Sequence, residues 1–372
     1  MAEYSILIGQ GRQSSEHSVL SASSAHRWLN CTASIKASEG MPDNVSDFAQ
    51  TGTNVHELCC YKVAKLLEAK NCPAKPEHEY TTEDELNASA YADFVKSHVS
   101  DKTLLIALEQ TVDYSEFTAD GSYGTADCLI IDDDSITVID YKNGAGVKVD
   151  CTFNPQMMLY ALGAYSVFKD ILSEIKTVTM AIYQPNINNI STQQLTFDEL
   201  IKATVTFKDK AKEALSGNGT AKCGDWCRFC KAKAVCSERA KQFSELIQSF
   251  NDYCENEDNA VTSLSEVQIL EVLKKGSELC AWVKDVQEYA LNCAKVGKEW
   301  QGFKLSSRSV RKYTSDTEVA IALQNAGIEP YEVVKKLKTI TNVEKELGKK
   351  KTAEVLNGLV EKVPGKETLT AV

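Results

Sequence analysis

GTADCLIIDDDSITVIDYK, residues 124–142, decides how the rest of the chain is read. Two runs rich in β-branched and apolar residues, 124–131 and 135–142, flank the acids Asp132, Asp133 and Asp134. Strand-forming runs on either side of a short polar turn predict an antiparallel hairpin. Counting outward from the turn puts Asp127 and Asp140 near the same end of it. Asp140 and Lys142 are two residues apart, so on a strand they share a face. Two carboxylates on neighbouring strands are costly unless a cation neutralises them. Oxygen ligands at an open site suit Mg²⁺ or Mn²⁺. Lys142 is placed either to orient and deprotonate an attacking water or to stabilise negative charge building on a phosphate. An Asp-X-Lys pair by itself reads as a solvated strand end; the neighbouring elements change that reading.

Upstream, TGTNVHELCCYKVAKLLEAK (51–70) carries Val55, Leu58, Cys59, Val63, Leu66 and Leu67 at helical spacing, with Thr53 as the expected N-cap. His56 on this helix is a candidate nitrogen ligand for the same ion. Glu57 and Glu109 lie near the pattern without an assigned role. Downstream, NPQMMLYALGAYSVF (154–168) is a helix opened by Asn154 and Pro155. Gln156 and Tyr160, at i and i+4, share one of its faces and can hydrogen-bond a phosphate or a DNA end. A helix at 83–98, strands at 103–114 and 174–185, and a helix at 197–215 complete an α/β core. Residues 1–20 are expected to be a loose lead-in.

Thirteen cysteines, an odd number, do not suggest a disulfide framework in a reducing compartment. Four lie in KCGDWCRFCKAKAVC (222–236). Cys227, Cys230 and Cys236 follow a C-X2-C-X5-C spacing and need a fourth ligand to hold a tetrahedral metal or a cubane cluster. That ligand is either Cys223, giving a compact zinc site, or Cys31 in HRWLNCTAS (26–34).

The 372 residues are 43% hydrophobic and 25% charged, as in ordinary soluble proteins. There is no apolar run of membrane-spanning length and no signal-peptide pattern at the N-terminus, so a cytoplasmic protein is expected. The net charge of −11 argues against a protein that coats nucleic acid, but it leaves room for a local basic groove. The last third reads as two long helices (238–256 and 264–296), a strand with a basic run (Lys304, Arg308, Arg311, Lys312), short helices and a frayed tail (362–372).

Taken in order, G-T-N-V-H-E, G-T-A-D, I-D-Y-K and Q-M-M-L-Y resemble the motifs of the PD-(D/E)XK nuclease superfamily in its RecB-like branch; the "PD" is Ala126-Asp127 here. The resemblance implies a restriction-endonuclease-like α/β core, a mixed sheet flanked by helices, with a mostly helical C-terminal extension. It implies that His56, Asp127, Asp140 and the Tyr141 backbone carbonyl bind a divalent metal, Mg²⁺ or Mn²⁺. Asp127, Asp140 and Lys142 are then catalytic, and Gln156 and Tyr160 contact DNA. The cysteine pattern is similar to that of iron–sulfur nucleases, the AddB-type subunits and CRISPR-associated RecB-like exonucleases. In those a [4Fe–4S] cluster staples the two ends of the nuclease domain. By that resemblance its ligands are Cys31, Cys227, Cys230 and Cys236; zinc on Cys223, Cys227, Cys230 and Cys236 is the alternative.

The S-X-A-H-R-W-L-N-C opening also resembles a family of phage and prophage proteins, which implies phage DNA metabolism or recombination and a recombination-protein partner. His26 and Arg27 within it can reach a phosphate or serve as helix surface. The expected organisation is a nuclease domain over 1–240 and an accessory region over 241–372. The expected function is a metal-dependent DNA nuclease, in particular an exonuclease. The alternative is a non-catalytic DNA-binding or scaffold protein that keeps the fold and a structural metal.

Overall fold

In the computed structural model, the hairpin at 124–142 lies at the centre of a six-stranded sheet. The structure describes residues 4–9, 18–41, 47–144, 146–255, 266–331 and 337–371. They divide into two compact units, Met1–Thr262 and Ser263–Val372. The expected boundary between residues 240 and 241 falls within a helix of the first unit.

The first unit runs β1 (Ser5–Ile8), α1 (Ala25–Asn30), α2 (Ser34–Ser38), α3 (Asp47–Leu66), α4 (Thr82–Ser97), β2 (Thr103–Asp113), β3 (Tyr123–Asp132), β4 (Ser135–Tyr141), α5 (Pro155–Phe168), β5 (Thr177–Gln184), β6 (Asn189–Thr196), α6 (Phe197–Thr204), α7 (Phe207–Leu215) and α8 (Ser237–Glu255). Strand order follows chain order, β1 to β6. The β1–β2 and β4–β5 pairs are parallel and the others antiparallel. Parallel neighbours cannot be joined by a hairpin, and α5 supplies the crossover between β4 and β5.

β4 is buried on both faces. Ile136 and Val138 join the core beneath α5, while Ile139 and Tyr141 join the core beneath α3 and α4. Each such buried aliphatic or aromatic side chain contributes roughly 1.5–3 kcal/mol. Asp140 shares the α5 side with Ile136 and Val138, which is what directs it toward Gln156.

The caps explain several helix starts. Asn154 accepts hydrogen bonds from the backbone N–H groups of Gln156 and Met157, and Pro155 occupies the first turn. Thr81 and Thr196 each form a capping box, with Asp84 and Glu199.

The structure departs from the sequence-based expectation at five places. Part of the expected lead-in is β1, an edge strand paired with β2; residues 1–3 and 10–17 of that stretch lie outside the described residues. α3 begins at Asp47, so Thr53 lies inside it. The polar stretch at 189–196 is β6, held by pairing with β5 although its sequence lacks a strong apolar signal. The helix expected over 197–215 is two helices, broken after Thr204 where Thr204, Val205 and Thr206 put three β-branched residues together. The tail expected to fray is a strand, described next.

The second unit contains α9 (Glu266–Lys295), β7 (Phe303–Tyr313), α10 (Asp316–Asn325), α11 (Ile340–Leu347), α12 (Lys349–Val355) and β8 (Val360–Ala371). β7 and β8 pair antiparallel, which recruits the tail. Val319, Leu323, Val343 and Leu356 form its small core. Within the basic run, Arg311 is engaged by Glu344 through two nitrogens at 2.6 and 3.1 Å. Among the described residues no helix is long and apolar enough to cross a membrane.

Candidate metal centre

Strand register brings two acids, Glu109 and Asp127, into one row. Leu108 pairs with Cys128 and Gln110 with Ala126, so Glu109 and Asp127 face each other across β2 and β3. Residues directly opposite on neighbouring strands share a face, so the row Glu109–Asp127 is a product of pairing. The β3–β4 ladder ends at Cys128–Ile139, and beyond it Asp140 lies on the α5 side of β4, outside the paired row but close enough for the Asp127 charge to act on it. Glu109 also has a positive φ of 48°, which a side chain longer than glycine's adopts only under constraint.

α3 delivers His56 to this row. Val55, Leu58 and Cys59 bury its inner face, and His56 Nδ1 stands 3.1 Å from Asp127 Oδ1. The other Asp127 oxygen, Oδ2, accepts the Tyr141 backbone N–H at 2.8 Å. Ligand atoms of His56, Glu109 and Asp127 all lie within 4.8 Å of one another. The Tyr141 ring packs edge-on to His56 and Tyr91, on the far side of the strand from Asp140.

On the α5 side, Lys142 Nζ lies 2.9 Å from Asp140 Oδ2 and donates to Gln156 Oε1 at 3.1 Å. Gln156 Nε2 donates to Asp140 Oδ1 at 3.1 Å and to the Tyr160 hydroxyl at 3.3 Å. Behind Tyr160 is Gly124: a Cβ there would lie 2.9 Å from Tyr160 Cε1. The absence of a side chain at Gly124 is what lets the ring sit against β3.

Electrostatics separates the two aspartates. Burial opposes the charge on Asp127, but His56, Lys142 and the Tyr141 N–H hold its carboxyl below the usual range. For Asp140 burial prevails over the pull of Lys142, and repulsion from Asp127 adds to it, so its carboxyl is pushed up. Burial would lower the His56 imidazole, yet Asp127, Glu109 and Asp140 lift it to about 9. The His56 nitrogen and the Glu109 and Asp127 carboxylates form a donor set for a hard or borderline divalent cation, while the Asp140 oxygens face Lys142 and Gln156, outside that group of three.

Thus His56, Asp127, Asp140, Lys142, Gln156 and Tyr160 are gathered in one contact network, with the Tyr141 backbone among them. Glu109 is the member to which sequence reading gave no role. Its signal was a lone acid in the strand-forming run TLLIALEQTV, but only the register shows what it faces.

The cysteines form a separate group in the first unit. Cys31, Cys223, Cys227, Cys230 and Cys236 all line one cavity of about 270 Å³. The Lys222 backbone N–H donates to Cys31 Sγ at 3.5 Å. Cys227 and Cys230 are near enough to add to the rise that burial imposes on the Cys31 thiol. Cys223 hydrogen-bonds Cys227 and is pushed up to about 12, chiefly by burial. Three contacts fasten residues 26–32 to this segment. His26 Nε2 lies 3.2 Å from Asp225 Oδ2, Arg27 Nη1 donates to the Phe229 carbonyl at 3.0 Å, and Thr32 Oγ1 accepts the Thr220 N–H at 2.7 Å.

Comparison with solved structures finds weak likenesses. The crystal structure of SSO0001 is 12% identical, covering 61% of this chain and 89% of that one, with a TM-score of 0.30. That of an alkaline exonuclease, LHK-Exo from Laribacter hongkongensis, is 14% identical, covering 62% and 97%, with a TM-score of 0.23. Residues 17–372 match the family described as protein of unknown function DUF2800, and the chain belongs to that family.

Proposed function

We propose that this chain is a divalent-metal-dependent deoxyribonuclease that degrades linear DNA from an end, in phage or prophage DNA metabolism or recombination. The observation that supports this best is the group His56–Glu109–Asp127, with Asp140 close by and held by the Lys142–Gln156 pair. A Mg²⁺ or Mn²⁺ ion held by His56, Asp127, Asp140 and the Tyr141 carbonyl, with Glu109 beside them, would supply Lewis acidity toward a phosphodiester. Lys142, fixed between Asp140 and Gln156, donates toward the phosphate oxygens where negative charge accumulates. Gln156 and Tyr160 orient the strand along α5. Preference for ends is carried by the motif resemblance to RecB-like exonucleases. The nuclease domain is assigned to residues 1–240 and the accessory region to 241–372.

We assign a [4Fe–4S] cluster to Cys31, Cys227, Cys230 and Cys236. The shared cavity, which these four cysteines line together with Cys223, and the Lys222 N–H donated to Cys31 Sγ support a metal group that includes residue 31. A cluster here serves as a staple between residues 31 and 236.

The deciding experiment incubates linear and covalently closed circular duplex DNA with Mg²⁺ or Mn²⁺ and compares Lys142→Ala. The expected result is degradation of linear DNA alone, slowed ~100-fold or more in the variant, as for loss of a charge-stabilising donor. Equal degradation by both proteins defeats the assignment.

A further inference from the structure

The edge strand β1 ends against the metal centre. Its ladder with β2 runs from Ser5–Leu105 to Ile8–Leu108, and the N–H of the following residue, Gly9, donates to the Leu108 carbonyl at 2.8 Å. Gly9 then packs on the backbone of Glu109. A Cβ on Gly9 would lie 2.0 Å from the Glu109 carbonyl oxygen, 2.8 Å from its carbonyl carbon and 3.3 Å from the Leu108 carbonyl oxygen. No side chain fits there unless one of the two strands moves; a glycine in or beside a strand marks such a close approach of backbones.

The backbone of β2 changes course at the same residue. Leu108 belongs to the core beneath α3 and α4, whereas Val112 belongs to the core beneath α5. Residues an even number apart on a regular strand lie on one face, so β2 exchanges faces between them. β3 does the same alongside, with Cys128 beneath α3 and α4 and Ala126 beneath α5. Glu109 and Asp127 stand at the two exchanges. Among the described residues Glu109 is the only non-glycine residue inside a strand with a positive φ. Such a conformation persists only where the surroundings over-determine it. The end of β1, fitted against the turned Glu109 peptide, is one such constraint.

We propose that Gly9 is a positioning residue of the metal centre, acting through Glu109. Because it has no side chain, β1 closes on the Glu109 peptide and holds it, and the Glu109 carboxylate stays within reach of an ion shared with His56 and Asp127. This role rests on the metal-dependent reading above.

A double-mutant cycle of Gly9→Ala and Glu109→Gln tests this, read by calorimetric titration with Mn²⁺ and by thermal melts in chelator. Gly9→Ala is expected to weaken Mn²⁺ binding ~10-fold or more, the scale found when a group that orients a ligand is removed. In the Glu109→Gln background the same change should cost no further affinity, because the carboxylate it positions is gone. Circular dichroism checks the fold; if Gly9→Ala does not fold, Ile8→Ala, which loosens the last rung of the ladder without a clash, takes its place in the cycle. A glycine that only lets β1 pack would alter the melting midpoint in chelator and leave Mn²⁺ affinity unchanged, and that result overturns the proposal. An equal loss of affinity in both backgrounds overturns it too, since the effect would then bypass Glu109. If the wild type binds Mn²⁺ and cleaves linear DNA while the cycle shows no coupling, the role of Gly9 alone is refuted. If the cycle shows coupling but the wild type does not cleave, the nuclease reading alone is refuted. A wild type that binds no Mn²⁺ overturns both.

Discussion

Gln156 accepts a hydrogen bond from Lys142 at 3.1 Å through its carbonyl oxygen, and with its amide nitrogen it donates to Asp140. One side chain on α5 therefore fixes the relative position of the ammonium and the carboxylate. Hydrogen bonds to charged groups are worth about 1.5–3 kcal/mol, or ~10- to 100-fold in rate if expressed in the transition state. Gln156→Leu is expected to slow DNA hydrolysis by that factor, whereas Gln156→Glu, which keeps an acceptor for Lys142 but repels Asp140, should do no better. Single-turnover rates at saturating Mn²⁺ measure this. Full activity in Gln156→Leu would leave the amide without a positioning role.

Glu109 has two opposed effects. It stands in a row with Asp127 and near His56, and its backbone has a positive φ. Without a cation the row repels itself; with one it is the donor set. Glu109→Gln is therefore expected to raise the melting temperature of metal-free protein while weakening Mn²⁺ binding ~10-fold or more, the scale seen when groups around a metal are removed. Calorimetric titration with Mn²⁺ and thermal melts in chelator give the two halves. A residue that only packs against the sheet would lower stability in both states and leave metal affinity unchanged.

Legibility followed the strength of local signals. The hairpin was readable because its two runs are bounded by three aspartates, and from the turn alone Asp127 and Asp140 could be placed near one end of it. Gln156 and Tyr160 were readable from helical spacing, and Asn154-Pro155 fixed where that helix begins. β6 was not, because NISTQQLT owes its state to the β5 edge and not to its composition. β8, with Pro364 and Gly365 inside it, is a strand for the same reason, pairing with β7, whereas β1 carries a local signal in Ile6, Leu7 and Ile8 that the polar surroundings of residues 1–20 conceal. Glu109 gained a role only once β2 was in register with β3, a long-range fact that no window of sequence contains. Nor could spacing alone choose between Cys31 and Cys223, since the approach of residue 31 to 222–236 is tertiary.

The cysteine assignment separates cleanly by spectroscopy. Anaerobically purified protein is expected to be brown, absorbing near ~400 nm as thiolate-ligated iron–sulfur centres do. Cys31→Ser should lose iron and colour, while Cys223→Ser keeps both. If zinc is bound instead, the protein is colourless, Cys223→Ser loses one equivalent of zinc and Cys31→Ser keeps it. Because a bond between residues 31 and 236 closes a long loop, the cluster should also add several kcal/mol of stability by restricting the unfolded chain. Chelating the iron then lowers the unfolding midpoint of wild type but not of Cys31→Ser.

Glu213 makes the same N-terminal strap sensitive to acid. Its carboxylate accepts from Thr32 Oγ1 at 2.7 Å, from Thr220 Oγ1 at 2.7 Å and from Lys210 Nζ at 2.9 Å. The Thr220 hydroxyl is the largest of the contacts that draw its pKa down from the ordinary 4.5 to about 2. A group whose pKa is depressed by folding stabilises the native state above its unfolded pKa and loses that contribution as pH falls through the folded value. Wild-type stability should therefore decline between about pH 4.5 and about pH 2, and the decline should be shallower in Glu213→Gln, which has no proton to take up. Urea midpoints measured at half-unit pH steps across that window provide the comparison. Thr32 is adjacent to Cys31, so the variant should also release residue 31 from the 222–236 segment. Faster alkylation of Cys31 in metal-free Glu213→Gln than in metal-free wild type is the expected sign, and equal rates would show that the contacts of His26 and Arg27 hold the strap without it.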